Sequence, residues 1–435
     1  MTSGVDPGPP DSLSGFQIPE SDSTLKVVGL LTPSRVGTAG EDGTMSDLEA
    51  MHPLLLQPME QLGALRIIRR LATGGYGAIF LAESETKGTV ALKFALEGPS
   101  ENDEARVDAR TKREARLLMH LAHPNVVELL GYRRWPDTHR GYLYLIMDYV
   151  EGPTLARWAT TEKATPRRAA QVFASLALTL DAIHGAGVVH RDLKGSNIIV
   201  RASDGEPVLV DFGSGDHPCA PSLTEDRLPP GTPSYRSPES LRFWMGPRIP
   251  GARYRFAPTD DLYSLGLVLH EVLTGTFPYP AHLPPSALLA SIESAVLQLP
   301  SVLNPRVPRV LDGIVLRLLD KHAGGRFPSG AELFGALSAA LELADDTWDQ
   351  PLFPPRPPHE AVTEEDESLF DGDEEGREVR QWMRWPDWPG ASSASGSART
   401  PSTEPVAPPV APWRSWLRRR LHVLKGALKP WRGKD

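Results

Sequence analysis

Two short segments carry residue types suited to handling phosphate. In ATGGYGAIF, from Ala72 to Phe80, the glycines Gly74, Gly75 and Gly77 would let the backbone approach a polyphosphate with no side chain in the way. In VALK, the ammonium of Lys93 could pair with phosphate oxygens, and Glu114 could fix that lysine by an ion pair. Each has a plainer reading: the glycines suit the turn of a β-hairpin, and a lone strand lysine is usually just solvated. A third segment, VVHRDLKGSNIIV at 188–200, packs His190, Arg191, Asp192, Lys194 and Asn197 between apolar flanks. Alone, it too reads as a charged turn between buried strands. What decides is whether other parts of the chain supply complementary chemistry.

Such residues need a scaffold, and the apolar patterning predicts one. LRIIRRLATGGYGAIFLAES, TVALKFAL and RGYLYLIMDYV are rich in branched and aromatic residues punctuated by glycine, which predicts strands. In ARTKREARLLMHLAH, Ala115, Leu118, Met119 and Ala122 recur at helical spacing and predict a single intervening helix. After Gly152 the pattern turns mostly helical. Thr165 can cap and Pro166 can start a helix whose Ala169, Val172, Phe173, Leu176, Leu180 and Ile183 share one face, ending near Gly185 and Gly187. The run DLYSLGLVLHEVLTG is apolar nearly all round, so it belongs deep in a core. The expected fold class is α+β: a small sheet-rich lobe followed by a helical lobe, with a ligand cleft between them.

Composition bounds the rest. With 435 residues, 40% of them apolar and 23% charged, the chain can bury a full core and still leave long tails. A formal net charge of −9 argues against a nucleic-acid binder. The single cysteine, Cys219, excludes an intramolecular disulfide framework and suits a reducing cytoplasm. A thiolate metal site is equally disfavoured. The start MTSGVDPGPPDSLSG lacks the basic and apolar regions of a secretory signal, and no apolar run reaches spanning length. The expectation is a cytoplasmic protein. Residues 1–61 read as a flexible segment, 62–343 as a globular domain, 344–412 as a Pro-rich and acidic linker, and 413–435 as a basic tail.

HRDLKGSN (His190 to Asn197), DFG (Asp211 to Gly213) and GTPSYRSPE (Gly231 to Glu239) follow the glycine-bearing segment and VALK in an order and spacing that resemble the protein kinase superfamily. The variants DLKGSN and GTPSY resemble serine/threonine kinases rather than tyrosine kinases, and the compact loops and overall style are similar to the bacterial, eukaryotic-like branch of that family. The resemblance implies a bilobal fold, with a small antiparallel-sheet N-lobe bearing one helix at 62–150, a larger helical C-lobe at 151–343, and disordered tails on either side. It also implies transfer of the γ-phosphoryl group of ATP to serine or threonine hydroxyls of proteins, with ATP and Mg²⁺ as cofactors. On that basis Asp192 orients the hydroxyl and accepts its proton, while Lys194 lies near the transferring phosphate. Asn197 and Asp211 match the metal ligands, and Lys93 holds phosphate oxygens while paired with Glu114. The base would bond the backbone of Asp148 and Val150 beside Met147, under a roof of Ile79 and Ala91. Glu239 would pair with Arg326, and Asp261 would brace the backbone around His190 and Arg191. Arg191 is a ready partner for a phosphate on Ser222 or Thr224, and Thr232 is expected to contact the active site. Ala72 stands where the family usually has a glycine, which implies a modest effect on nucleotide affinity.

Two other functional classes stay open: a kinase-like scaffold acting through its tails, and a small-molecule phosphotransferase. On a helix, Trp413, Leu417, Leu421, Leu424 and Leu428 would share one apolar face, with Arg418, Arg419, Arg420 and Lys425 among the polar positions. That pattern suits docking of 413–435 on a partner protein or at the inner face of a membrane, and equally a disordered tail weakened by Gly426 and Pro430. Trp382, Trp385 and Trp388 could form a short docking motif or fold back on the domain.

Overall fold

The computed structural model describes residues 52–353, apart from 75–76, 97–103, 137–140, 162, 216–227, 229–230, 250 and 281–282. The tails, the tryptophan cluster, Gly75, Ser222 and Thr224 therefore lie outside the described residues.

One antiparallel sheet is built from β1 (Gln61–Leu62), β2 (Leu65–Gly74), β3 (Gly77–Ser84), β4 (Gly88–Ala95), β5 (Leu129–Pro136) and β6 (Gly141–Asp148). The strand order is β1-β2-β3-β4-β6-β5. One face gathers Ile67, Phe80, Leu92, Phe94, Tyr144 and Ile146 into a core of its own. Ala91, Leu145 and Met147 belong instead to the larger core of the helical part, so the sheet's other face looks across to it. Period-two alternation along β4 and β6 divides their side chains between these two cores.

Helix α1 (Glu104–His120) packs against β4, β5 and β6. Its observed inner face differs from the expected one. Ala115 and Leu118 are buried as expected, but Met119 is 56% exposed and Ala122 lies past the helix end. Thr111, Glu114 and Leu117 turn inward instead. A polar residue, Glu114, sits on the buried face, so a search for apolar periodicity alone sets the stripe about one position off.

The helical part comprises α2 (Leu155–Trp158), α3 (Pro166–Gly185), α4 (Pro238–Met245), α5 (Pro258–Thr274), α6 (Pro285–Ser294), α7 (Pro300–Leu303), α8 (Arg309–Leu318) and α9 (Gly330–Glu342). The hairpin β7 (Ile198–Val200) with β8 (Pro207–Leu209) joins the HRDLKGSN segment to the DFG segment. Thr165 caps α3, its hydroxyl accepting the Arg168 N–H, and Pro166 opens the helix as expected. Such a cap stabilises by about 1 kcal/mol. From Asp260 to Thr274, α5 is buried at every position but Glu271, and Gly275 closes it with a left-handed φ of 71°. Packing does not stop at Leu343: Trp348 and Leu352 join the large core, and the Arg306 guanidinium donates to the Pro351 carbonyl at 2.7 Å.

One buried ion pair ties α4 to the chain before α9. Arg326 grips Glu239 through two parallel hydrogen bonds of 2.7 and 2.8 Å and donates also to the carbonyls of Asp320 and Thr259. Its guanidinium is fully enclosed and lies 4.7 Å from the Tyr263 ring centroid. Removing one partner of such a pair strands the other. Replacing Arg326 with methionine is predicted to lower the unfolding free energy by about 3 kcal/mol, read from urea denaturation.

Candidate active site

Three charged side chains meet where the two lobes face each other. Lys93, on β4, sends its ammonium 2.8 Å from Glu114 Oε1 on α1 and 2.6 Å from Asp211 Oδ1 in the DFG segment. The first contact is the pair expected from the sequence; the second joins the lobes. Gly213 N–H donates to the same Asp211 oxygen at 3.1 Å. A Cβ at Gly213 would stand 3.1 Å from Asp211 Oδ1 and 3.3 Å from Glu114 Oε2, so a side chain there would press on the cluster.

The electrostatics of the three groups are unequal. Burial opposes the charge on Lys93, but Asp211 and Glu114 outweigh it and raise the ammonium above the ordinary lysine range. Burial would likewise raise the Asp211 carboxyl. The charge and hydrogen bond of Lys93, with the Gly213 N–H, reverse that and hold it below the usual carboxylate range. For Glu114 burial wins and, with the Asp211 charge adding to it, moves the carboxyl up despite the lysine. Asp211 keeps 40% of its side chain open.

The segment HRDLKGSN gathers a second set of polar groups. Asp192 accepts the Thr232 backbone N–H at 2.9 Å on one oxygen and the Asn197 amide at 3.2 Å on the other, with Lys194 at 3.9 Å. Asn197 Nδ2 also donates to the Asp192 carbonyl at 2.8 Å, which orients the amide and leaves its oxygen as the end suited to a metal. The backbone here is strained: Arg191 has φ 70° and Asp211 φ 61°. Asp261, buried at the start of α5, holds the first by accepting the N–H groups of His190 and Arg191, each at 2.9 Å. The His190 ring meets that of Phe212 at a tilt of 53° with centroids 4.7 Å apart, and it bonds the Val210 carbonyl at 3.2 Å, tying this loop to the DFG segment.

The residues that the resemblance would set around a base lie on β3, β4 and β6 and just beyond β6. Met147 is buried and pairs in register with Ala91, while Ile79 pairs with Lys93 and packs against the same core. The Asp148 N–H is taken by the Glu128 carbonyl at 2.9 Å, so that residue could offer a base only its carbonyl, and Val150 would have to supply any N–H. Gly74 and Gly77 pair across the hairpin, and Ala72 pairs with Ile79 beside an irregularity in the β2–β3 register. Gly77 has a reason unrelated to phosphate: a Cβ there would come within 2.5 Å of the Phe94 carbonyl oxygen.

Several supporting residues escaped the sequence reading. His184 bonds Asp261 at 2.8 Å, and Gly152, at φ 150°, leaves no room for a Cβ beside the Val200 carbonyl. Phe256 lies against both Arg191 and Arg236. The glycine and the histidine sit in otherwise ordinary loop and helix-end contexts, so only the tertiary neighbours reveal them.

Oxygen donors of the Asp211 and Asn197 kind suit a hard divalent cation. Among the described residues no cluster of three His, Cys, Asp or Glu side chains could hold a metal unaided. A cation at this place thus needs further oxygens from a phosphate ligand or water, which fits a metal–nucleotide complex better than a resident structural ion.

Residues 65–320 match the protein kinase domain family. The chain belongs to the protein kinase family. It is 33% identical over 319 residues to serine/threonine-protein kinase pkn2 of Myxococcus xanthus, covering 71% of this chain and 36% of that protein. It is 34% identical over 288 residues to serine/threonine-protein kinase PknD of Mycobacterium tuberculosis, covering 66% and 41%. Probable serine/threonine-protein kinase PknB of Lactococcus lactis matches at 28% over 283 residues, covering 64% and 42%. The kinase chain therefore spans about two fifths of the length of these curated relatives. Protein kinases generally use ATP and Mg²⁺. No helix among the described residues is long and apolar enough to cross a membrane.

The ion cluster has a pH signature. In wild type the depressed Asp211 contributes stability above the usual carboxylate range, lost as pH falls through its folded value. Substituting Lys93 with methionine leaves two facing carboxyls that burial raises, so the folded form then binds more protons than the unfolded one. Stability of Lys93→Met is predicted to fall more steeply than wild type as pH rises from about 4 to 7, read from urea midpoints across that range.

Proposed function

We propose that this chain is an ATP-dependent protein kinase that transfers the γ-phosphoryl group of ATP to serine or threonine hydroxyls of protein substrates. The observation that carries the reading is the single ammonium of Lys93 held at 2.8 Å from Glu114 and 2.6 Å from Asp211, which draws the sheet, α1 and the DFG segment into one site. The names of the relatives support the choice of serine and threonine.

In this reading Asp192 orients the acceptor hydroxyl and takes its proton, its carboxylate already aimed by Thr232 and Asn197. Lys194 sits beside it, placed to neutralise charge on the transferring group. Asn197 and Asp211 hold the cation through oxygen, and Lys93 grips phosphate oxygens while Glu114 keeps it in place. Gly74, Gly75 and Gly77 cover the phosphates, with Ala72 at the loop's entrance. Ile79 and Ala91 form the apolar roof over the base, with Met147 behind it and the Asp148 carbonyl and Val150 N–H at its edge. The bound metal–nucleotide complex supplies the phosphoryl group and the charge that screens it. The kinase unit is taken as 62–343, with 344–353 packed onto it.

The test is transfer of labelled γ-phosphate to a generic protein substrate. Wild type is expected to label it, and Asp192→Asn to lose about a thousandfold or more in rate. Equal labelling by both would reject the assignment.

For the tail, the reading is that the amphipathic pattern of 413–435 docks the protein at the inner, anionic face of a membrane, with the rest of the chain in the cytoplasm. Sedimentation with phosphatidylserine vesicles is expected to retain the full chain and to release it on deletion of 413–435. Equal behaviour with neutral vesicles would reject this.

A further inference from the structure

We infer that Phe256 is a positioning residue for Asp192, acting as a clamp between the two arms that hold the catalytic carboxylate. The inference rests on the kinase reading for its effect on turnover, but its geometry is independent of that reading.

Phe256 lies in the connection between α4 and α5, half-buried, two residues before α5 begins. Its ring centroid is 4.8 Å from the guanidinium carbon of Arg191 and 5.2 Å from that of Arg236. Two cations within about 6 Å of one aromatic centroid are each attracted by the ring's quadrupole. Arg191 immediately precedes Asp192 and is held at φ 70°, a conformation that costs energy and needs its surroundings to maintain it. Arg236 is the second arm. It is 5% exposed, and burial lowers its guanidinium's hold on its proton while Asp192 and Asp260 act to raise it. Its guanidinium lies so close against Gly231 that a Cβ on that glycine would collide with it. Gly231 adjoins Thr232, whose backbone N–H is bonded to Asp192 at 2.9 Å. One ring therefore touches the side chain next to Asp192 in sequence and the side chain that backs its hydrogen-bond donor.

The ring is itself anchored. It meets Tyr254 edge-on, with centroids 4.8 Å apart and planes at 89°. The Tyr254 hydroxyl donates to Asp260 at 3.0 Å, and Asp260 also accepts the Ala257 N–H at 2.7 Å and the Ser237 hydroxyl. Tyr254 and Asp260 thus root the clamp at the first turn of α5, the most deeply buried helix. The adjacent Asp261 holds the backbone of Arg191 from the other side. An aromatic ring is needed, because an aliphatic side chain of similar size fills the space but offers no π-face to the two guanidiniums.

The experiment compares wild type with Phe256→Leu and Phe256→Trp in the full chain. Hydrogen exchange is followed at the Thr232 amide, and kcat and KM for ATP are measured with a generic protein substrate. Phe256→Leu is expected to speed exchange at Thr232 and to lower kcat about tenfold with KM for ATP within about twofold, because misplaced catalytic groups cost turnover more than nucleotide binding. Phe256→Trp is expected to restore slow exchange and most of the turnover. Unchanged Thr232 exchange in Phe256→Leu, or a tryptophan variant no better than leucine, overturns the inference. If wild type proved no more active than Asp192→Asn, the kinase reading would fail, while the exchange comparison would still decide the clamp.

Discussion

Lys93 is the one side chain on which the geometry of both lobes depends. Its strand belongs to the sheet, one partner to the helix packed on that sheet, and the other to the segment leaving the helical part. A buried cation facing two carboxylates is stable only while both stay close, because each contact offsets part of the cost of taking charge out of water. The cluster consequently fixes the rotation of α1 about its axis. That explains why the helix turns Glu114 inward and Met119 outward, against what apolar spacing alone suggests. The same cluster fixes Asp211 in its left-handed conformation, with the Gly213 N–H completing the hold.

Much of the site was legible because its chemistry is concentrated in short runs. The pairing of Lys93 with Glu114 could be named from the residues alone, and the pairing of Glu239 with Arg326 and the bracing of His190 and Arg191 by Asp261 from the resemblance to the kinase family. Capping by Thr165 and the burial of α5 followed equally from local residue types. The ion pairs and the cap share a trait: each rests on a group that is costly to bury unsatisfied, so a partner named for it has a physical reason to be there. Strand β5 was not legible, since LLGYRRWP shows no regular alternation and mostly half-buried positions. Gly77 was read as a phosphate-facing glycine, yet the Phe94 carbonyl alone is enough to exclude a side chain there. Phe256 was silent for another reason: an aromatic in a loop has no obligatory partner, and only the fold brings Arg191 and Arg236 to it.

The burial of α5 acquires its meaning from what its first turn does. Thr259 offers its carbonyl to Arg326, Asp260 gathers Tyr254, Ser237 and Ala257, and Asp261 gathers His184, His190 and Arg191. Burial raises the Asp260 carboxyl to about 6 against the lowering pull of the donors around it. Three consecutive residues thus set the position of the catalytic loop, of the segment carrying Thr232, and of the Glu239–Arg326 pair. A helix serving as the common reference for separate segments cannot slide or roll without moving them all. Apolar contact on every side is the simplest way to deny it that freedom, since close-packed interiors resist small displacements far more than surface helices do. The all-round apolar sequence of DLYSLGLVLHEVLT is therefore as much a condition for the geometry at Asp192 as the polar residues that touch it.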